Sequence, residues 1–101
     1  MNISFLGLMR KAGVLEPGQD RALTAVKNGS AKLLILPSDV PERARRNAEF
    51  AAEGRKHLPI VNVDWTNAEI SKAIGIGGCT LLAVTDKGFA EALLKKLGGN
   101  C

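Results

Sequence analysis

Apolar residues recur along this chain in two rhythms, a helical one of about 3.6 residues and a short unbroken one, and the two alternate. In Asn2–Ala12, Phe5, Leu6, Met9 and Ala12 fall at helical spacing and Gly13 follows as a stop, which predicts a first helix. Val14–Glu16 is a short extended link or minor strand. Gln19–Asn28 then places Ala22, Leu23, Ala25 and Val26 on one side of a second helix, while Asp20, Thr24 and Lys27 line the other. Pro17 and Gly18 stand ahead of this helix, where a missing or permissive backbone group costs little, and Gly29 is placed as its left-handed stop. Lys32–Leu36 reads KLLIL, an unbroken apolar run suited to a strand covered on both faces.

Ser38 and Asp39 are cap residues for a third helix, with Pro41 in its first turn, running to about Arg55. Its inward face is Ala44, Ala48, Ala51 and Ala52 with Phe50 beside it. Its outer face carries Arg43, Arg45, Arg46 and Arg55 against Glu42, Glu49 and Glu53, a pattern of solvated pairs that also offers arginines to a polyanion. LPIVNV at Leu58–Val63 is the next strand, with Pro59 where a ladder donor can be spared. Thr66-Asn67-Ala68-Glu69 is a capping box, and Trp65 and Ile70 are spaced as a hydrophobic staple. The fourth helix therefore starts at Thr66 and ends at Gly75, with Ile70, Ala73 and Ile74 turned inward. CTLLAV at Cys79–Val84 is the third strong strand, and Thr85 or Asp86 caps a final helix carrying Phe89, Ala92, Leu93 and Leu97. Gly98–Cys101 is a tail.

The order α-α-β-α-β-α-β-α predicts an α/β fold, a three-layer α/β/α sandwich around a small mixed central sheet. At 101 residues and 46% hydrophobic content, residues 1–101 have room for one domain and one core. No segment approaches the roughly 20 consecutive apolar residues of a membrane span, and the start MNISFLGLMRKAG has no basic region ahead of an apolar stretch, so a cytoplasmic protein without a membrane partner is expected. Cys79 and Cys101 have neither disulfide-framework nor metal-site spacing.

A net charge of +4 favours polyanionic partners without demanding one. With 4% aromatic residues and no Tyr, a surface that stacks single-stranded bases on exposed rings is poorly supplied. A nucleic-acid site would work instead by helix insertion, hydrogen bonds and phosphate contacts.

Gly75-Ile76-Gly77-Gly78 follows a helix and precedes a strand, the reverse of phosphate-loop arrangements, and reads as an αβ connection that exposes Ile76 to a partner. His57 is a loop residue without a nucleophile at recognisable spacing, and Asp39, Asp64 and Asp86 stand where helix caps or a small-molecule site of an open sheet would be. No catalytic set, cofactor motif or metal cluster forms. The start of the second helix is different. Gly18 permits close backbone approach, and the helix N-terminus offers unpaired N–H groups with partial positive charge. Gln19 donates and accepts, Asp20 accepts, and Arg21 reaches guanine acceptors or phosphate. The same residues read equally as a dipole-complementing Asp20 flanked by solvated side chains.

GQDRALTAVKNG at Gly18–Gly29, AKLLILPSD at Ala31–Asp39, LPIV at Leu58–Val61, AEISKAIG at Ala68–Gly75 and LLAVTDKGFA at Leu81–Ala90 together resemble the kink-turn-binding ribosomal protein superfamily, the L-seven-Ae family, in its short bacterial form. The resemblance spans nearly the whole chain. It implies a noncatalytic RNA-binding protein in which the N-terminus of the second helix enters the widened groove of a bent RNA and reads sheared G·A pairs, while an apolar loop covers a flipped-out nucleotide. Gly18 matches the family glycine, whereas Asp20, Arg21 and Thr24 stand where Asn, Glu and Lys are usual. Ile76 and Gly77 fall in the apolar loop.

The resemblance and the reading of the residues together give Gly18, Gln19, Asp20, Arg21, Thr24, Ile76 and Gly77 as the expected contact residues, with Lys11, Lys27 and Lys32 as nearby phosphate contacts. The partner is a structured RNA, ribosomal or another containing a kink-turn, within or outside the ribosome, and not DNA. The alternative is a protein-interaction module on the same fold. Arg21 reverses the usual charge and Asp20 loses the donor of Asn, so the change falls on the residues that would do the reading.

Overall fold

The computed structural model describes residues 3–55, 58–78 and 80–98, without the side chains of 96–98. Among these residues the chain forms α1 (Ser4–Lys11), β1 (Leu15–Pro17), α2 (Gln19–Lys27), β2 (Leu33–Leu36), α3 (Glu42–Glu53), β3 (Ile60–Asn62), α4 (Asn67–Ile74), β4 (Leu82–Val84) and α5 (Lys87–Gly98). The minor strand between the first two helices does form, as β1, and pairs antiparallel with β4. The sheet runs β1-β4-β2-β3, with β2 and β3 parallel and β2 and β4 antiparallel, so it is mixed. His57, Cys79, Cys101 and the side chain of Leu97 lie outside what is described.

The unbroken run at Leu33–Leu36 is buried throughout because its two faces meet different helices. Leu33 and Ile35 join Leu82, Val84, Leu6, Met9, Ile70, Ile74 and Leu93 in a core under α1, α4 and α5. Leu34 and Leu36 face Ala83, Ala22, Ala25, Val26 and Ala48 under α2 and α3. Period-two alternation within an apolar strand thus divides one run between two cores, which gives the three layers. Alanines on α2 and α3 let those helices lie close to the sheet.

The local signals act as the sequence indicates in most places. Thr66 accepts from the Glu69 N–H at 3.1 Å and Glu69 accepts from the Thr66 N–H at 2.8 Å, completing the capping box. Trp65 packs against the core that contains Ile70. Gly75 closes α4 at φ 76°, and Asp86 caps α5 by accepting from the Phe89 N–H at 3.1 Å. Asp39, by contrast, does not cap α3. Pro41 is the N-cap there, without a side-chain bond, and Asp39 serves α4 instead.

Phe50 departs from the expected inward face of α3. It is 78% exposed. Two residues beyond buried Ala48, it lies about 200° further round the helix, on the far side from the sheet. Ile76 departs in the other direction: it is half-buried and packs against the core under α1, α4 and α5. In α5 the second core residue beside Leu93 is Ala90 rather than Ala92.

Candidate nucleic-acid interface

Strands β1, β2 and β3 all end at the sheet edge where β4 begins, since Pro17 and Ile35 both pair with Leu82 and Leu36 pairs with Asn62. The helices that follow them, α2, α3 and α4, therefore present their N-termini at that edge. Three helix N-termini and their partial positive charges gather on one side of the molecule, with the first turn of α4 closed by its capping box and by Asp39.

Gly18 begins α2 at φ 98°, ψ 147°, a conformation open essentially to glycine alone. Its N–H donates to the Leu81 carbonyl at 2.8 Å and its carbonyl accepts from Ala22 at 2.9 Å, so β4 holds the turn and the helix starts at once. No side chain of the N-cap residue covers the first turn. A Cβ on Gly18 would lie 3.9 Å from the Gly78 carbonyl oxygen, which places the 75–78 loop alongside the start of α2. Gly78 has φ 74°, and Gly77 is exposed. Ile76 is held in this loop by its core contacts and by its N–H donating to the Ser71 carbonyl at 3.2 Å.

Gln19 is half-buried, while Asp20, Arg21 and Thr24 are exposed. Arg21 Nε lies 4.0 Å from Glu16 Oε1, and both side chains are open to water at 66% and 41%. Such a pair contributes little to stability. Glu16, absent from the sequence expectation, reaches this site because β1 buries Leu15 and Pro17 and turns the residue between them outward. Together with Asp20, Thr24, Asn28 and Ser30, the pair lines a groove of about 250 Å³ on one flank of α2. Asp20 and Thr24 also line the other flank, a groove of about 660 Å³ between α2 and α3 that includes Lys27, Asn47, Phe50 and Arg55.

The predicted residues thus divide. Gly18, Gln19, Asp20, Arg21 and Thr24 come together at the start of α2 beside the loop of Ile76 and Gly77. Lys27 stands at the last turn of α2, about 10 Å further along the axis from Asp20. Lys32 lies at the opposite edge of the sheet, where its N–H donates to the Val84 carbonyl at 2.7 Å, and it lines a separate groove with Arg55 and Lys87. Lys11 ends α1 at that same far edge, just before β1 begins. Among the described residues no cluster of three His, Cys, Asp or Glu could hold a metal ion, and no helix is long and apolar enough to cross a membrane.

A mixed four-stranded sheet between helical layers, with a glycine-led helix start beside an apolar glycine loop, defines a class of small α/β/α sandwich. Within that class the chain belongs to the ribosomal protein L7Ae/L30e/S12e/Gadd45 family, whose model matches residues 4–94. It is 29% identical over 92 residues to the RNA-binding protein YlxQ of Bacillus subtilis, covering 91% of this chain and 90% of that one. It is 32% identical over 84 residues to the large ribosomal subunit protein eL30 of Aeropyrum pernix, covering 82% and 83%. Among solved structures, a Bacillus halodurans protein of unknown function superposes with a TM-score of 0.80 at 30% identity, covering 90% of each chain. The fold is shared with the 15.5kD RNA binding protein of Giardia lamblia, at a TM-score of 0.73, 16% identity and 98% and 86% coverage. These matches bear out both the family resemblance and the sandwich read from the sequence.

Proposed function

We propose that this chain is a noncatalytic RNA-binding protein that recognises a kink-turn or similarly bent RNA through the N-terminus of α2. The observation that carries the reading is the juxtaposition of Gly18 at φ 98° with the 75–78 loop, beside exposed Asp20, Arg21 and Thr24. A helix start without a side-chain cap offers N–H donors to a phosphate or base edge, and Gly18 removes the side chain that would hold RNA away. Arg21 provides the charge for a phosphate or a guanine Hoogsteen edge, and Asp20 accepts from a base amino group. Gln19, Thr24 and Lys27 extend the contact along α2, and Ile76 and Gly77 flank it. Lys32 is reached only by RNA that continues past the far end of α2. Relatives named for RNA binding and for the large ribosomal subunit support RNA as the partner, ribosomal or of another kind.

Titration against a simple kink-turn RNA and a matched duplex lacking the G·A pairs, at fixed salt, tests the proposal. Selective binding to the kink-turn is expected. Equal weak binding to both removes G·A recognition, and no saturable binding to either at low salt removes RNA and favours a protein partner.

A further inference from the structure

The aromatic residues of this chain divide sharply by position. Phe5, Trp65 and Phe89 pack against the core, with the Phe5 and Phe89 ring centroids 5.9 Å apart. Phe50 is 78% exposed on α3 and faces the groove of about 660 Å³ that separates α3 from α2. Arg55 stands in the same groove, with its guanidinium donating to the Lys27 carbonyl, so one donor of a five-donor fork anchors the cation at the end of α2. Lys27 adds a second positive charge, and Asn47 adds an amide able both to donate and to accept.

We infer that this groove takes an unpaired nucleotide of the bound RNA, its base stacked on Phe50 and its phosphate held by Lys27 and Arg55. The inference rests on the RNA-binding reading above. The chemistry matches part by part: one open ring face for a base, one amide for its edge, and two cations for the backbone. Continuity matches too, since Asp20 and Thr24 line both this groove and the Arg21 flank, so a strand leaving the start of α2 enters it directly. A protein anchor would require a broad dry apolar surround, with charge depleted from its centre. Here, among the described residues, the groove gives Phe50 only Leu23, Val26 and Ala51 as apolar companions, between Lys27 and Arg55.

The test compares the full chain and its Phe50→Ala, Phe50→Leu and Phe50→Trp variants on a kink-turn RNA, blunt or carrying an adenosine tail at either end. One of the tails is expected to raise wild-type affinity about tenfold, the scale of a single base stacked on an aromatic ring. Phe50→Ala and Phe50→Leu are expected to lose that gain and to bind blunt RNA as the wild type does, whereas Phe50→Trp keeps it. Wild-type binding that no tail improves, or a gain that survives Phe50→Ala, overturns the nucleotide site and leaves the groove to a protein partner. In both cases blunt RNA is still bound, so the RNA-binding reading stands. Failure of the wild type to bind any of the RNAs overturns both.

Discussion

The Asp39 carboxylate, in the loop that follows β2, accepts a hydrogen bond of 2.8 Å from the backbone N–H of Asn67, the first residue of α4. The neighbouring Ser38 N–H donates to the Trp65 carbonyl at 2.8 Å. Two adjacent residues therefore tie the entrance of α3 to that of α4, at the edge where α2 also begins. Asp39 takes one of the orphan donors of α4, while Thr66 and Glu69 satisfy each other across the first turn.

Replacing this external cap is expected to be felt globally. Asp39→Ala should lower stability by about 1 kcal/mol, the usual worth of an N-terminal cap. For a domain of this size that corresponds to a fall in Tm of about 4–8 °C. Asp39→Asn keeps an acceptor and should lose less. Thermal melts of both variants check this, and Asp39→Ala melting with the wild type would show that Thr66 and Glu69 suffice for α4.

Gly18→Ala separates strain from collision. The added Cβ would sit 3.9 Å from the Gly78 oxygen, an ordinary contact, so the space exists. The backbone at φ 98°, ψ 147° is nonetheless hostile to any L side chain. The variant should therefore lose about 1–3 kcal/mol through conformation alone. Urea denaturation reads the loss, and an unchanged midpoint would mean that the turn relaxes. RNA affinity should fall with it, because the relaxed turn re-aims the N–H groups of α2.

Much of this architecture was legible because its signals are local. The capping box at Thr66–Glu69, the stop at Gly75 and the apolar run at Leu33–Leu36 each carry their own geometry within a few residues. What stayed hidden depends on partners remote in sequence. The sequence leaves the segment at β1 open between a link and a minor strand, and it is pairing with β4 that makes it a strand. Asp39 reads as the cap of the helix that follows it, yet its carboxylate accepts from the first residue of α4. Ile76 looked exposed among glycines, but the core beneath α1, α4 and α5 takes up part of its side chain. Phe50 was misplaced by adjacency in sequence, although its angle from Ala48 already points it outward. At the proposed site, the grouping of Gly18 to Thr24 needed only one helix start, whereas the position of Lys32 depends on the direction of β2 relative to α2.

Glu16 offers a test of electrostatics at that site. It faces Arg21 at 4.0 Å, and both side chains are largely hydrated, so removing its charge should leave the fold intact. Glu16→Gln releases Arg21 and deletes a negative charge where phosphates would approach. RNA affinity should rise severalfold at low salt, and the gain should fade as salt screens the exposed charges. Arg21→Glu should do the reverse and weaken binding at least tenfold. A neutral outcome for both variants would remove Arg21 from the contact.

Lys27 and Lys32 are five positions apart in sequence but belong to different parts of the surface. Lys27 lines the groove that continues from Asp20 and Thr24, whereas Lys32 stands across the sheet with Lys87. Counterion release counts only cations that reach phosphate. Lys27→Ala should therefore weaken binding to every RNA sequence alike and reduce the salt slope by about one phosphate contact. Lys32→Ala should leave both affinity and slope unchanged on a short kink-turn RNA, and lower them only when the RNA is extended enough to pass the C-terminal end of α2. Affinities measured across a salt series on short and extended RNAs distinguish the two. Equal losses from both lysines on the short RNA would mean that it lies along the sheet edge of Lys32 rather than across the start of α2, and the docking geometry proposed here would have to be reversed.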